Sequence, residues 1–436
     1  MHDLPVSKWR WRSAMLVFML VYVLNFLDRQ VINILAERIK QDLALADWQL
    51  GMLTGFAFAL FYALAGIPIA RYAERANRRN IVAVAVALWS GFTVLSGLAG
   101  SYVQLLLCRF GVGVGEAGGV PPSHSLITEI TPSAKLASAL ALFHIGLPVG
   151  TLCGLALGGL MADQFGWRLA FVLAGAPGLV VAIMVYLVIP EPRKARAAKR
   201  ASPHGDGPGL RETFRCLVRK QTFVYSVLAA TAISFTTYAQ QAFVPSYFFR
   251  LHGADLTRLG QDFGLQAGGY LGISLGLATG LAGAAGLWLG GSLADARSAR
   301  DMRGYGTVPA IAVALFVPVQ ALAFFVPTAE QALLVLSLAI LLNVMWIAPF
   351  QATIQSIAPS RMRATASALG LLAINLVGLG LGPVLLGLLS DVLASQSGLG
   401  PDEGLRWALA LFSLVGVIAA LLFWKAASSI EADVAR

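Results

Sequence analysis

The chain has 436 residues, 57% of them apolar and only 12% charged, with a formal net charge of +10. Those proportions lie outside the range of soluble globular domains and leave no stretch from which a sizeable soluble domain can be built. A basic excess of this size in a soluble protein would point to nucleic acid, but here its placement along the chain argues for a topology signal instead.

Segments of about 20 apolar residues, enough to cross a hydrocarbon core of about 30 Å, recur from one end to the other. The first, at 13–36, follows Lys8, Arg10 and Arg12. It is too long for a secretory leader, lacks a small-residue cleavage site and contains Asn25-Phe26-Leu27-Asp28-Arg29-Gln30, so it is read as a retained span. Further spans are expected at 49–72, 80–100, 102–128, 134–162 and 167–189. Between Glu191 and Lys220 the apolar character stops, with nine Lys/Arg against three Asp/Glu together with Pro203 and Pro208, the mark of a linker. Six more spans follow, at 222–248, 266–294, 304–326, 330–357, 364–392 and 405–424. The expectation is an all-α integral membrane protein of twelve transmembrane helices, organised as a six-helix half at 1–190, a basic linker at 191–221 and a second half at 222–436.

Placing both termini in the cytoplasm puts 24 of the 32 Lys/Arg inside, 6 outside and 2 within the membrane, the positive-inside pattern of a multi-pass protein of the inner membrane. The three cysteines, Cys108, Cys153 and Cys216, are scattered and suggest neither a disulfide framework nor a metal site. The two halves echo each other. Ile130-Thr131-Pro132-Ser133 matches Ile357-Ala358-Pro359-Ser360, Pro121 matches Pro349, and Asp163 matches Asp391, all at offsets of 227 or 228, which points to a duplicated six-helix unit.

The loop Ala70-Arg71-Tyr72-Ala73-Glu74-Arg75-Ala76-Asn77-Arg78-Arg79 and its counterpart Gly291-Ser292-Leu293-Ala294-Asp295 resemble the signature between helices 2 and 3 of the major facilitator superfamily, with Ala70, Glu74 and Asn77 departing from its usual residues. Arg109-Phe110-Gly111-Val112-Gly113-Val114-Gly115 and the glycines Gly146, Gly150, Gly154, Gly158 and Gly159 resemble its fourth- and fifth-helix motifs. Asn-Phe-Leu-Asp-Arg in the first span, Glu116-Ala117 in the fourth and the Pro-Pro-Ser after them most resemble the spinster group, whose animal members are associated with export of sphingosine-1-phosphate and lysophospholipids. The resemblance implies two pseudo-symmetric halves and a cytoplasmic latch formed by Glu74, Arg75, Arg79 and Asp295.

Four ionisable residues fall inside spans: Asp28, Arg29, Arg109 and Glu116. An intramembrane charge costs about 2.5–3.5 kcal/mol on insertion scales, so four of them with zero net charge suggest mutual pairing and a purpose. Asp28 and Arg109 lie at equal depth and are expected to pair. Glu116, seven residues beyond Arg109, lies on the same helical face about 10 Å deeper, within reach of Arg29. Asp28 and Glu116 are therefore candidate proton-coupling groups, Glu116 first, and Arg29 and Arg109 candidate anion-binding groups. The bland alternative is that the pairs only brace two helices. Lower in weight, Asn25, His144, Tyr238, Gln241, Tyr270, Asn343 and Trp346 are candidate cavity residues, each with ordinary interhelical packing as its alternative.

A charged first half and an uncharged second half suit an amphipathic, lipid-like organic anion of lysophospholipid or sphingoid type, carried by proton-coupled or proton-gated alternating access. Two other readings stay open: a carrier of a small hydrophilic metabolite or drug, and a non-transporting membrane sensor. Neither a metal-ligand cluster nor an activated nucleophile nor a nucleotide loop is found, so no enzyme, cofactor, metal or nucleic-acid partner is expected. Gly113-Val114-Gly115 lacks the Lys-Ser/Thr of a phosphate loop. The expected partners are an amphipathic small molecule, protons and membrane lipids, and the expected state is a monomer.

Overall fold

The computed structural model describes residues 7–132, 135–191, 210–359 and 362–434, all helix and connecting turn. Most of the expected linker lies outside these residues. The spans are α1 (Lys8–Leu43), α2 (Asp47–Ala73), α3 (Arg78–Ser96) and α4 (Tyr102–Ile130), then a 51-residue segment, Ser138–Val188. At 1.5 Å per residue that segment is about 76 Å long, more than twice the hydrocarbon thickness, so it must turn back. It does so at Gly166, whose φ of +79° no side-chain-bearing residue adopts cheaply, dividing it into α5 (138–165) and α6 (167–188). After a short helix, Leu210–Val218, come α7 (Gln221–Leu251), α8 (Ala267–Ser298), α9 (Gly304–Ala323), α10 (Ala329–Ile357), α11 (Thr365–Gln396) and α12 (Gly400–Val434). Among the described residues, eleven helical segments long and apolar enough to cross a membrane, one of them bent double, give the twelve crossings of a multi-pass integral membrane protein.

Several ends are set by local chemistry. Ser7 caps α1 through Arg10 N–H, and α1 stops where Ala44 turns left-handed, its N–H bonding the Lys40 carbonyl. Asn77, Ser101 and Thr328 cap α3, α4 and α10 by accepting from the backbone N–H three residues on. Two helices carry π-helical turns, Met52–Phe56 in α2 and Ile374–Leu381 in α11.

Contacts group the chain into two compact units: unit 1 holds Met1–Leu45, Ala57–Ser202 and Leu256–Gly276, and unit 2 holds Ala46–Phe56, Pro203–Asp255 and Leu277–Arg436. In unit 1, α1 packs along α5 through a stripe of glycines. A Cβ on Gly150 would lie 2.3 Å from the Val23 carbonyl oxygen and one on Gly154 2.6 Å from that of Leu27. The start of α8 belongs to this unit, held by Asp163, which accepts from Gly269 N–H (2.6 Å) and pairs with Arg38.

Unit 2 has an apolar core that includes Phe223, Ile233, Val313, Phe316, Phe350, Ile354 and Phe423. The start of α2 belongs to it. Asp391, the repeat counterpart of Asp163, accepts from the N–H groups of Asp47 and Trp48 (3.1 and 2.9 Å), while Asp47 receives both Arg250 nitrogens (3.0 and 2.7 Å) and Ser390 Oγ (2.7 Å). In each unit, then, a carboxylate near the end of one span caps the first turn of another, where a negative charge meets unsatisfied N–H donors.

Candidate functional site

Asn25, Asp28 and Arg29 share one face of α1 because they stand at i, i+3 and i+4. Arg109 and Glu116, seven apart on α4, form the opposing row. Glycines bring that row close. A Cβ on Gly113 would sit 2.6 Å from the Phe58 carbonyl oxygen, and one on Gly115 2.7 Å from Trp89 N, so α4 approaches α2 and α3 at backbone distance. In this motif the glycines do packing work and the charged residues are carried on the helix so placed.

The structure brings all four charges together in two linked pairs. Glu116 is fully buried, and its Oε2 receives Arg29 Nε (2.7 Å) and Asn25 Nδ2 (2.8 Å). Asp28 is 3% exposed; its Oδ1 accepts from Thr93 Oγ1 (2.5 Å), and its Oδ2 lies 3.6 Å from Arg109 Nη1. The Arg29 guanidinium lies over Phe58 at 4.7 Å, Tyr62 at 5.3 Å and Phe26 at 5.4 Å, and Arg109 lies over the same Phe58 at 5.9 Å. One buried ring thus serves both cations, in an environment where cation–π attraction is worth about 2 kcal/mol or more.

The two pairs are not equally closed. Arg29 keeps 20% of its side chain exposed, whereas Arg109 keeps 1%. Hydrogen-bonding capacity is left over as well: Asn25 Oδ1, Asp28 Oδ2, Arg109 Nε and Nη1, and Glu116 Oε1 are buried with no hydrogen-bond partner among the described residues. Buried polar groups are normally satisfied, and a cluster retaining both donors and acceptors has the means to exchange partners.

Thr93, Phe58 and Tyr62 were not among the sequence candidates. Thr93 carries no charge, and apolar rings in a span look like packing; only their position beside the arginines distinguishes them. His144 is exposed, its Nδ1 2.8 Å from the Leu140 carbonyl. His124, also absent from the sequence candidates, lies with its ring centre 5.3 Å from that of His144.

The remaining candidates scatter. Gln241 is exposed in α7. Tyr238 packs at the edge of the unit 2 core, and Trp346 is a member of that core, 7% exposed between Phe350 and Phe423 at ring separations of 5.6 and 6.1 Å. Its indole is therefore packed among apolar side chains, whereas the sequence suggested a cavity wall. Asn343 is 8% exposed and exchanges hydrogen bonds with Thr237 (3.0 and 3.1 Å). Tyr270 belongs to unit 1, stacked on Phe263 at 6.0 Å near the first turn of α8.

Of the expected latch, the side chains of Glu74 and Arg75 lie outside the described residues. Arg79 stacks on Tyr186 at 4.7 Å, and Asp295 accepts from Tyr305 Oη at 3.0 Å. Among the described side chains of that loop, the buried ion-pair centre is Arg78, 3% exposed, which meets Glu129 of α4, Glu191 (2.8 Å) and Ser125 Oγ (2.8 Å). Adjacent arginines are alike in sequence; the end of α4 and the Glu191 carboxylate select the first.

Comparison with known proteins agrees with this architecture. The family model of the Major Facilitator Superfamily matches residues 18–379. An MFS-type efflux pump of Mycolicibacterium smegmatis is 34% identical, covering 99% of this chain and 95% of its own length. Protein spinster homolog 1 of Homo sapiens is 28% identical, covering 97% of this chain and 82% of its own. A crystal structure of a bacterial homologue of the human lysosomal transporter spinster, inward-facing and unoccupied, matches with a TM-score of 0.85 at 30% identity, covering 98% of this chain and 99% of that one. Twelve crossings, a duplicated plan and matches over nearly the whole length lead to one conclusion: the chain belongs to the Major Facilitator Superfamily and is a spinster-like secondary transporter.

Proposed function

We propose that the protein moves an amphipathic, lipid-like organic anion by proton-coupled alternating access between two six-helix halves, 1–190 and 222–436, joined by the linker 191–221, with both termini in the cytoplasm. The observation that carries this reading is the Arg29–Glu116 pair: a fully buried carboxylate holding, at 2.7 Å, a guanidinium that is partly exposed and ringed by Phe26, Phe58 and Tyr62. A cation framed by aromatic rings suits a headgroup that is charged at one end and apolar beyond it. Proton uptake at Glu116 and anion capture at Arg29 each break the same ion pair, so each favours the other, and Asp28 with Arg109 forms a second, more enclosed pair beside it. The resemblance to the spinster group, whose animal members are associated with lysophospholipid export, agrees with a lipid-like cargo, and the efflux-pump name of the Mycolicibacterium relative supports outward movement. That name also favours the other reading, a drug-sized efflux substrate.

The test is flux in proteoliposomes, with and without an imposed pH gradient, for a lysophospholipid, a sphingoid phosphate, a sugar and a cationic drug. The amphipathic anions should move and respond to the gradient, and Glu116→Gln should remove the response while leaving a monodisperse, thermally folded protein. Flux of sugar or drug alone, or a gradient response untouched by Glu116→Gln, would overturn the proposal.

A further inference from the structure

Two of the chain's five histidines, carried on different helices, meet in unit 1. His124 stands eight residues beyond Glu116 on α4, about 12 Å farther along the helix. It lies toward the end at which Trp11 Nε1 donates to Thr131 Oγ1 (3.1 Å). Its ring centre is 5.3 Å from that of His144 on α5 and 5.1 Å from that of Phe143. Tyr22 of α1 stacks on Phe143 at 4.3 Å, meets His144 edge-on at 5.5 Å and continues to Phe26 at 5.1 Å. Phe26 in turn lies 5.4 Å from the Arg29 guanidinium. An unbroken aromatic run therefore connects the imidazole pair to the cation of the site described above.

Hydrogen bonding restricts what the pair can do. The Leu140 carbonyl, 2.8 Å from His144 Nδ1, can only accept, so Nδ1 carries the proton and Nε2 remains available on an exposed side chain. His124 Nε2 is buried and has no hydrogen-bond partner among the described residues. The titratable side chain facing His124 from α5 is His144. From α1 the facing groups are Tyr22 and, past Phe26, Arg29; on α4 the next carboxylate, Glu129, is engaged by Arg78. Protonated, the two rings would present N–H donors and positive charge with no free carboxylate among the facing groups just named, so an external anion would complete the cluster. A bracing role would give His124 Nε2 a protein donor or acceptor, and it has neither among the described residues.

We propose that His124 and His144 form a second anion-binding station, which holds the negatively charged headgroup of an amphipathic substrate when the imidazoles are charged and hands it along Tyr22 and Phe26 to Arg29. This rests on the reading of the substrate as an amphipathic anion. The probe is octyl phosphate, with octyl glucoside as the uncharged control, added to the full chain in nanodiscs carrying ¹⁵N-labelled histidine. His124→Gln and His144→Gln identify the two imidazole signals. Octyl phosphate should shift both signals at pH 5.5 and neither at pH 8, and octyl glucoside should shift neither. In the double variant, which lacks both imidazole signals, its apparent Kd at pH 5.5 read by titration calorimetry should weaken about tenfold, the loss expected for one charge-assisted contact. Signals that ignore octyl phosphate, or that respond alike to both amphiphiles, would overturn the station. Arg29-dependent flux of amphipathic anions with silent imidazoles sinks the station alone. Imidazoles that respond to octyl phosphate in a protein that moves only sugars sink the substrate reading alone.

Discussion

Arg109 is 1% exposed and Asp28 3%, and neither charge can be left in the span without the other. Breaking a buried pair by removing one partner typically costs about 3–5 kcal/mol, mostly because the remaining charge is uncompensated, whereas removing both costs much less. Arg109→Gln should therefore lower thermal stability strongly, and Asp28→Asn added to it should restore most of the loss. A double variant no more stable than Arg109→Gln would show that the 3.6 Å pair does not govern stability there.

A second titration belongs to His252, just past the end of α7. The imidazole is buried, with Nε2 3.0 Å from Tyr247 Oη and Nδ1 3.9 Å from Asp255. Burial holds its pKa below the ordinary histidine value, against the pull of Asp255 and Glu330 and with the help of Arg406. The unfolded chain takes up the proton at higher pH than the folded one, so this stability is present above about pH 6.5 and is lost as pH falls through the lower folded value. His252→Gln should make the melting temperature fall less between pH 7.5 and 5.5 than it does in the parent; an equal or steeper fall would exclude His252 as the cause.

At the scale of elements, glycine and carboxylate divide the work. The glycines of α4 and α5 remove side chains so that backbones meet, while Asp163 and Asp391 pin the first turns of α8 and α2. The second arrangement includes the buried Asp47–Arg250 pair, with side chains 2% and 5% exposed. Asp47→Asn leaves Arg250 short of its counter-charge and should destabilise unit 2 by about 3 kcal/mol. Proteolysis or hydrogen exchange localised to 46–56 would register the loss, and unchanged protection there would contradict it. The offset of 228 between Asp163 and Asp391 was visible in the chain as a repeat, but what each caps was not. Capping depends on which helix start is delivered to the carboxylate, and no local pattern encodes that.

For the whole molecule, the distribution of basic residues predicts cytoplasmic termini, and Cys216 offers a direct check because it lies on the short helix before α7. With Cys108 and Cys153 replaced by Ala, an impermeant maleimide should label Cys216 in inside-out vesicles and not in intact cells; the reverse pattern would invert the topology. Amino-acid order alone determined the number and rough limits of the spans, the duplication and the four intramembrane charges. Each of these is written in local composition: apolar runs must be as long as the bilayer is thick, and a charge inside such a run stands out. Only the tertiary structure decided that Phe58 lies under both arginines, that Arg78 is buried against Glu129 and Glu191, that Trp346 is core, and that His124 meets His144. Those facts depend on side chains from separate helices reaching one another, as Arg29 and Glu116 do across 87 residues of chain, and it is packing between helices that brings them together.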